Sequence, residues 1–252
     1  DLLGGAGNDS VSGGAGQDDL FGGGGTNWLS GGDGQDWLYS DRDSGGGDTL
    51  DGGVGADWAS IDRSNMTTAY ALILDDPSSE SIASDGTRLI GIERLVFSGG
   101  SGADSVTGGI WQNSMHGGFG DDQLTGGSGR DDLFGDDGND QLAGNAGDDY
   151  LYGGSDGLGS GDGDDQISGG DGNDRLQGGA GNDSLSGDDG SDDLNGGSGN
   201  DQLRGGRGSD TIRGDAGTDT AIFSESAANY LVVISGSQAT VTHIVSGDVT
   251  RL

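Results

Sequence analysis

Residues 117–152 read GGFGDDQLT, GGSGRDDLF, GDDGNDQLA and GNAGDDYLY, four consecutive nine-residue rows that superpose without a gap. Each follows the pattern GGxGxDxUx, in which U is apolar. A fixed short period marks a solenoid, in which one unit cannot bury its apolar face alone and stacks on its neighbours. The glycines permit the positive backbone angles of a tight turn. Columns seven to nine form a short strand whose middle side chain points one way and whose neighbours point the other. One apolar residue per row then faces inward. Two rows make a coil, and alternate rows stack into two parallel sheets with about 4.8 Å between successive coils.

The phase extends in both directions from this stretch. Upstream lie GGSGADSVT and GGIWQNSMH; downstream, after seven inserted residues, seven rows run from SGDGDDQIS to GDAGTDTAI. An earlier block holds GGAGNDSVS, GGAGQDDLF, GGGGTNWLS and GGDGQDWLY, then three extra residues, the degenerate DSGGGDTLD, and GGVGADWAS. Column eight runs through 19 rows from Val11 to Ala221 without a polar residue. A flexible Gly/Asp linker would not hold one column apolar. The expected fold is all-β: a parallel β-roll, stapled by calcium for the reasons below, in two blocks each followed by a short β-rich segment. The divisions fall at 1–60 (first repeat block), 61–98 (β-rich insert or cap), 99–222 (second block) and 223–252 (β-rich C-terminal segment).

Composition sets the problem that such a fold must solve. Only 29% of the chain is hydrophobic, 60 of its 252 residues are glycine, and the net charge is −34. Self-repulsion and poor burial would ordinarily leave such a chain disordered, so a source of positive charge is required. Of 44 acidic residues only Glu80, Glu93 and Glu225 are glutamate. Aspartate keeps its carboxylate close to the backbone of a turn, where main-chain carbonyls can join it as hard oxygen ligands, the preference of calcium. Cysteine is absent and only His116 and His243 offer imidazole, which argues against zinc, iron and disulfides. No apolar run is long enough to span a bilayer, and no signal peptide opens the chain.

The rows resemble the RTX, or haemolysin-type calcium-binding, repeats, and the resemblance covers roughly two thirds of the chain. It implies that each ion sits between the turns of rows n and n+2, taking column-six carboxylates and backbone carbonyls of the glycine positions, so that every ion staples adjacent coils. The matching carboxylates are Asp9, Asp18, Asp36, Asp48, Asp57, Asp104, Asp122, Asp131, Asp140, Asp149, Asp165, Asp174, Asp183, Asp192, Asp201, Asp210 and Asp219. Asn27 and Asn113 interrupt the column and should weaken the sites in their rows. The competing role for each aspartate is a turn former that caps its own backbone. Calcium modules of the extracellular kind bind at roughly 10⁻⁴ to 10⁻³ M, above cytosolic levels, so the module is expected to wind outside the cell. The resemblance further implies secretion through a type I apparatus and a passenger domain in a larger parent protein. The chain reads as a fragment cut at both ends, because SDGTRL at 84–89 is followed by IGIERLVF whereas the parallel SGDVTRL ends at Leu252.

Other chemistry finds little support. The GxSxG at 153–157 around Ser155 lies in an insertion between turns and lacks a strand-to-helix context. Carboxylates that recur with the repeat do not mark one catalytic cleft, so no catalytic residue is assigned and Glu93 is expected to be structural. Ten arginines without lysine cannot form a basic track for nucleic acid, and an anionic membrane would repel the chain. No threonine ladder of the kind an ice-binding face needs runs down column three. Outward aromatics Phe21, Trp37 and Tyr39, and again Phe134, Tyr150 and Tyr152, fall on one expected face. They leave open a second reading, a ligand- or glycan-binding module of an adhesin or carbohydrate-active enzyme.

Overall fold

A computed structural model describes residues 1–41, 47–74, 76–154 and 163–223, together with the backbone of 230–235, 238–243 and 249–251. Every regular element among the described residues is a strand. In the repeats a strand begins in column seven and runs into the glycines of the following row, as in Gln141–Ala146, Arg175–Ala180 and Ser184–Asp189. Pairing is parallel and two rows apart, with column eight on column eight: Leu133 opposes Leu151, Leu151 opposes Leu176, and Leu142 opposes Ile167. The result is a β-roll of two parallel faces. Column two turns the corner with a positive φ, such as 102° at Gly118 and 114° at Gly179. Where that column lacks glycine it holds Asp136, Asn145, Asp188 and Asp215, with φ between 62° and 76°. Asp and Asn are the side chains that best tolerate this conformation.

The core is one apolar side chain thick. Column-eight residues from Val11 to Ile212 are buried, most of them fully; Ala221, in the last described coil, is half-buried. Their inward stack runs the length of the roll as one cluster.

Residues 61–98 thread into the roll and join the blocks instead of closing off the first. One face is a single 14-stranded sheet, and within it Arg94–Ser98 lies between Trp58–Asp62 and Ser114–Phe119. The opposite face divides into sheets of five and eight strands. Arg88–Ile90 extends the first by pairing with Thr49–Asp51, and Ala71–Ile73 begins the second by pairing with Ser105–Thr107. The shared strand carries a register shift. Toward the first block Leu95 opposes Ala59, a column-eight residue; toward the second, Phe97 opposes the column-eight Met115. A slip of two residues leaves every side chain on its original face, so the core passes through the join unbroken. The C-terminal backbone repeats part of this pattern. Arg251 pairs in parallel with Thr211 and the strand around it runs antiparallel to 238–243, as the strand at Arg88 does with Thr49 and 81–82.

Leu176→Ala should cost about 2–5 kcal/mol in urea unfolding of the wound protein, because it opens a cavity in a core with no second layer. Gln202→Ala, an exposed strand position beside the core residue Leu203, should change stability by less than about 0.5 kcal/mol.

Candidate metal centre

Column six builds a ladder along each edge of the roll. The Oδ1 of each residue accepts the backbone N–H of the column-six residue two rows earlier: Asp18 donates to Asp36 at 2.9 Å, Asp104 to Asp122 at 2.7 Å, Asp131 to Asp149 at 2.7 Å and Asp174 to Asp192 at 2.8 Å. The same link joins Asp140 to Asp165, Asp165 to Asp183, Asp183 to Asp201, Asp192 to Asp210 and Asp201 to Asp219. Each side chain thus holds the neighbouring coil rather than its own turn. Stacked turns place these donors two rows apart, beyond the reach of any local capping motif.

The second oxygen has no such role. Oδ2 is buried and hydrogen-bonds to nothing in Asp9, Asp18, Asp36, Asp57, Asp122, Asp149, Asp174, Asp192 and Asp201. A single orphaned carboxylate oxygen in a native interior is unusual; a regular column of them points to a missing partner. The geometry of column one says where that partner belongs. A Cβ placed on Gly13 would lie 2.6 Å from Asp18 Oδ2 and 2.7 Å from the carbonyl oxygen of Gly31. The same pair bounds Gly126 (Asp131 and Gly144), Gly144 (Asp149 and Gly169) and Gly187 (Asp192 and Gly205). Glycine in column one therefore keeps open a small space between a carboxylate oxygen and a main-chain oxygen. All these donors are hard oxygens, which fit calcium. Among the described residues no three His, Cys, Asp or Glu side chains converge, so main-chain carbonyls must complete any such shell.

Electrostatics mark the same column. Burial pushes Asp122, Asp149 and Asp192 up to about 7, with neighbouring carboxylates adding to the rise and ladder N–H groups opposing it. Asp57, Asp131 and Asp174 are pushed up to about 6, again chiefly by burial. Asp36, Asp104 and Asp201 move the same way. A carboxyl whose folded-state pKa is raised stabilises the fold below the ordinary carboxylate range, and that contribution is lost as pH rises through 6–7. At neutral pH the column calls for either protons or cations.

Several positions differ from the regular pattern. Asp48 has both oxygens engaged: Oδ1 accepts the Asn27 N–H and Oδ2 the Ser40 hydroxyl, each at 2.8 Å. Asp131 Oδ2 accepts the Gly127 N–H at 2.7 Å. Asp219 is half-buried at the last described coil. Asn27 and Asn113 keep the ladder with their amide oxygens, to Asp9 and to Leu95. Glu93 does structural work of a kind that the sequence hid. Its Oε2 accepts the Asp57 N–H at 2.8 Å, so it occupies column six of a row without recognisable repeat. Most of the degenerate row 43–51 that precedes Asp48 lies outside the described residues, as do Ser155 and Glu225 and the side chain of His243.

The outward aromatics share the 14-stranded face. Phe21 stacks on Tyr39 at 4.2 Å, Trp37 on Trp58 at 4.6 Å, His116 on Phe134 at 4.3 Å and Phe134 on Tyr152 at 5.2 Å. Arg94 covers Trp58 and Arg130 covers Tyr150. The ring faces are turned to one another along the roll axis, an arrangement that secures register between coils.

The family model for the RTX calcium-binding nonapeptide repeat matches residues 1–29, 18–45, 98–133, 112–142, 125–157, 160–194 and 186–221, about two thirds of the chain. No curated protein matches this chain closely enough to count as a relative. The matched segments carry the column-six ladder apart from Asp48 and Asp57, which lie with the join in the unmatched stretch 46–97. With a parallel β-roll, a column of buried carboxylates and repeats matched over most of its length, the chain belongs to the RTX calcium-binding nonapeptide repeat family.

Proposed function

We infer that this chain is a calcium-driven folding module. It stays open where calcium is scarce, winds into the roll where calcium is millimolar, and in that state stabilises or displays a larger secreted protein. The observation that carries the reading is the recurrence of buried Oδ2 atoms without hydrogen-bond partners beside a glycine carbonyl, as at Asp18, Asp36, Asp57, Asp122, Asp149 and Asp192. Ionised and unpaired, such oxygens oppose folding; bound to divalent ions, they staple one coil to the next. Because ions bind the wound coil and not the open chain, binding and folding are one equilibrium, and shared ladders make it cooperative. The family's usual occurrence in secreted proteins supports an extracellular setting, type I export and a passenger domain elsewhere in the parent. A glycan platform would need a row of exposed ring faces, whereas the rings aligned on the 14-stranded face are stacked on each other and covered by arginine, which weighs toward the folding role.

Far-UV circular dichroism should report a cooperative gain of β signal at submillimolar to millimolar calcium and none with equal magnesium. A roll already wound in chelator would contradict the reading. Asp149→Asn keeps the amide oxygen that the Asp131 N–H needs but replaces the charged oxygen beside Gly169. It should raise the calcium midpoint about threefold to tenfold, since ligand charge tunes such sites, while leaving the calcium-saturated spectrum unchanged. In chelator, residual β signal should be greater at pH 4–5 than at pH 8, falling progressively as pH rises above the ordinary carboxylate range and fully lost above about pH 7. Because the carboxylates of the open chain are already ionised at pH 6.5, calcium-driven winding there should release few protons, measurable in titration calorimetry as heat that does not vary with the buffer.

A further inference from the structure

At the join between the repeat blocks one edge of the carboxylate ladder continues through Glu93, and beside Asp48 on the other edge lies a cation supplied by the chain. Arg63 is 2% exposed, and each of its five N–H groups meets an oxygen. Nε donates to Asp85 Oδ2 at 2.8 Å. One terminal nitrogen donates to the carbonyls of Ser40 at 3.1 Å and Asp62 at 3.0 Å. The other donates to Ser40 Oγ at 2.9 Å and Thr87 Oγ1 at 3.0 Å. Ser40 follows Tyr39 at a position where the repeat places glycine, and its hydroxyl donates onward to Asp48 Oδ2. In the regular coils that space lies open between a carboxylate oxygen and a carbonyl. Here a hydroxyl fills it, and a guanidinium reaches Asp85 directly and Asp48 through Ser40.

We propose that Arg63 is a resident cation in place of a metal ion, and that the coils it joins form a calcium-independent seed from which winding spreads into both repeat blocks. The inference rests on calcium-driven winding of the flanking repeats. A buried guanidinium is tolerated only when its charge is opposed and its donors are all engaged, and both conditions hold. A second observation supports the seed. The two largest fully buried side chains, Tyr70 and Phe97, lie here, and with Ile61, Ile92 and Leu95 they add to the one apolar residue per row found elsewhere. Tyr70 stacks on Phe97 at 5.3 Å and lies 5.7 Å from the Arg63 guanidinium. The join therefore has more apolar burial and less uncompensated charge than the coils on either side.

Hydrogen exchange on the full chain in chelator tests this directly. Peptides covering 58–62 and 94–98 should exchange on the order of 100-fold more slowly than an open chain, while 193–199 and 211–217 should be unprotected until calcium is added. The double variant Ser40→Gly with Arg63→Ala restores the glycine of the repeat and removes the cation. It should lose protection of the join in chelator, regain it with calcium, and bind one more calcium ion per chain than wild type in equilibrium dialysis. Loss of protection without a gained ion would overturn the cation role and leave Arg63 as packing alone. An unprotected join in wild-type protein whose flanks still wind with calcium would overturn the seed. Wild-type flanks that ignore calcium would remove the reading on which the inference rests, an outcome distinct from the other two.

Discussion

Everything in this roll depends on what lies beside a buried aspartate oxygen. At regular positions such as Asp149, column six gives one oxygen to the backbone of the neighbouring coil and turns the other toward a glycine carbonyl, where no hydrogen-bond donor answers it. Two oxygens facing each other across a space too small for a methyl group repel, and burial lifts the carboxyl pKa values toward 6–7. A net charge of −34 over 252 residues is the same problem seen from outside. A hard divalent cation resolves both at once, bridging coils and neutralising charge. The thin core could not do so alone, since one apolar residue per row buries too little surface to offset chain entropy.

The remaining features follow from stacking the turns in register. Column-one glycine leaves room between the two oxygens, and column-two glycine, aspartate or asparagine supplies the positive φ. The outer face lines up rings at the coil spacing, so that aromatic stacks reinforce the register set by the strands. None of these devices supplies positive charge, which is why they decorate the fold without completing it.

The parts of this structure that repeat were legible in the sequence. Column eight named the core residue by residue, and column six named the ladder, because a strict period places equivalent residues in equivalent surroundings. What the period could not show is the sharing of tasks between the two oxygens of one carboxylate, since the donor to Oδ1 lies two rows away. The join was legible only as β-rich. Glu93 takes a column-six role with no glycine pattern around it, and the strand at Leu95 serves two registers at once. Arg63 in an acidic chain reads as an ordinary surface charge. Its burial comes from contacts with Ser40, Asp85 and Thr87, more than 20 residues away on either side, which only the folded chain brings together.

The most direct test of the account is anomalous diffraction from crystals of this chain grown in calcium. Ions should appear along both edges of the roll, each bound by the Oδ2 of a column-six aspartate and the carbonyl of the column-one glycine two rows on. The space between Asp149 and Gly169 would show this clearly. Anomalous density confined to the exposed aspartates of columns three and five, with the inner spaces empty, would contradict it.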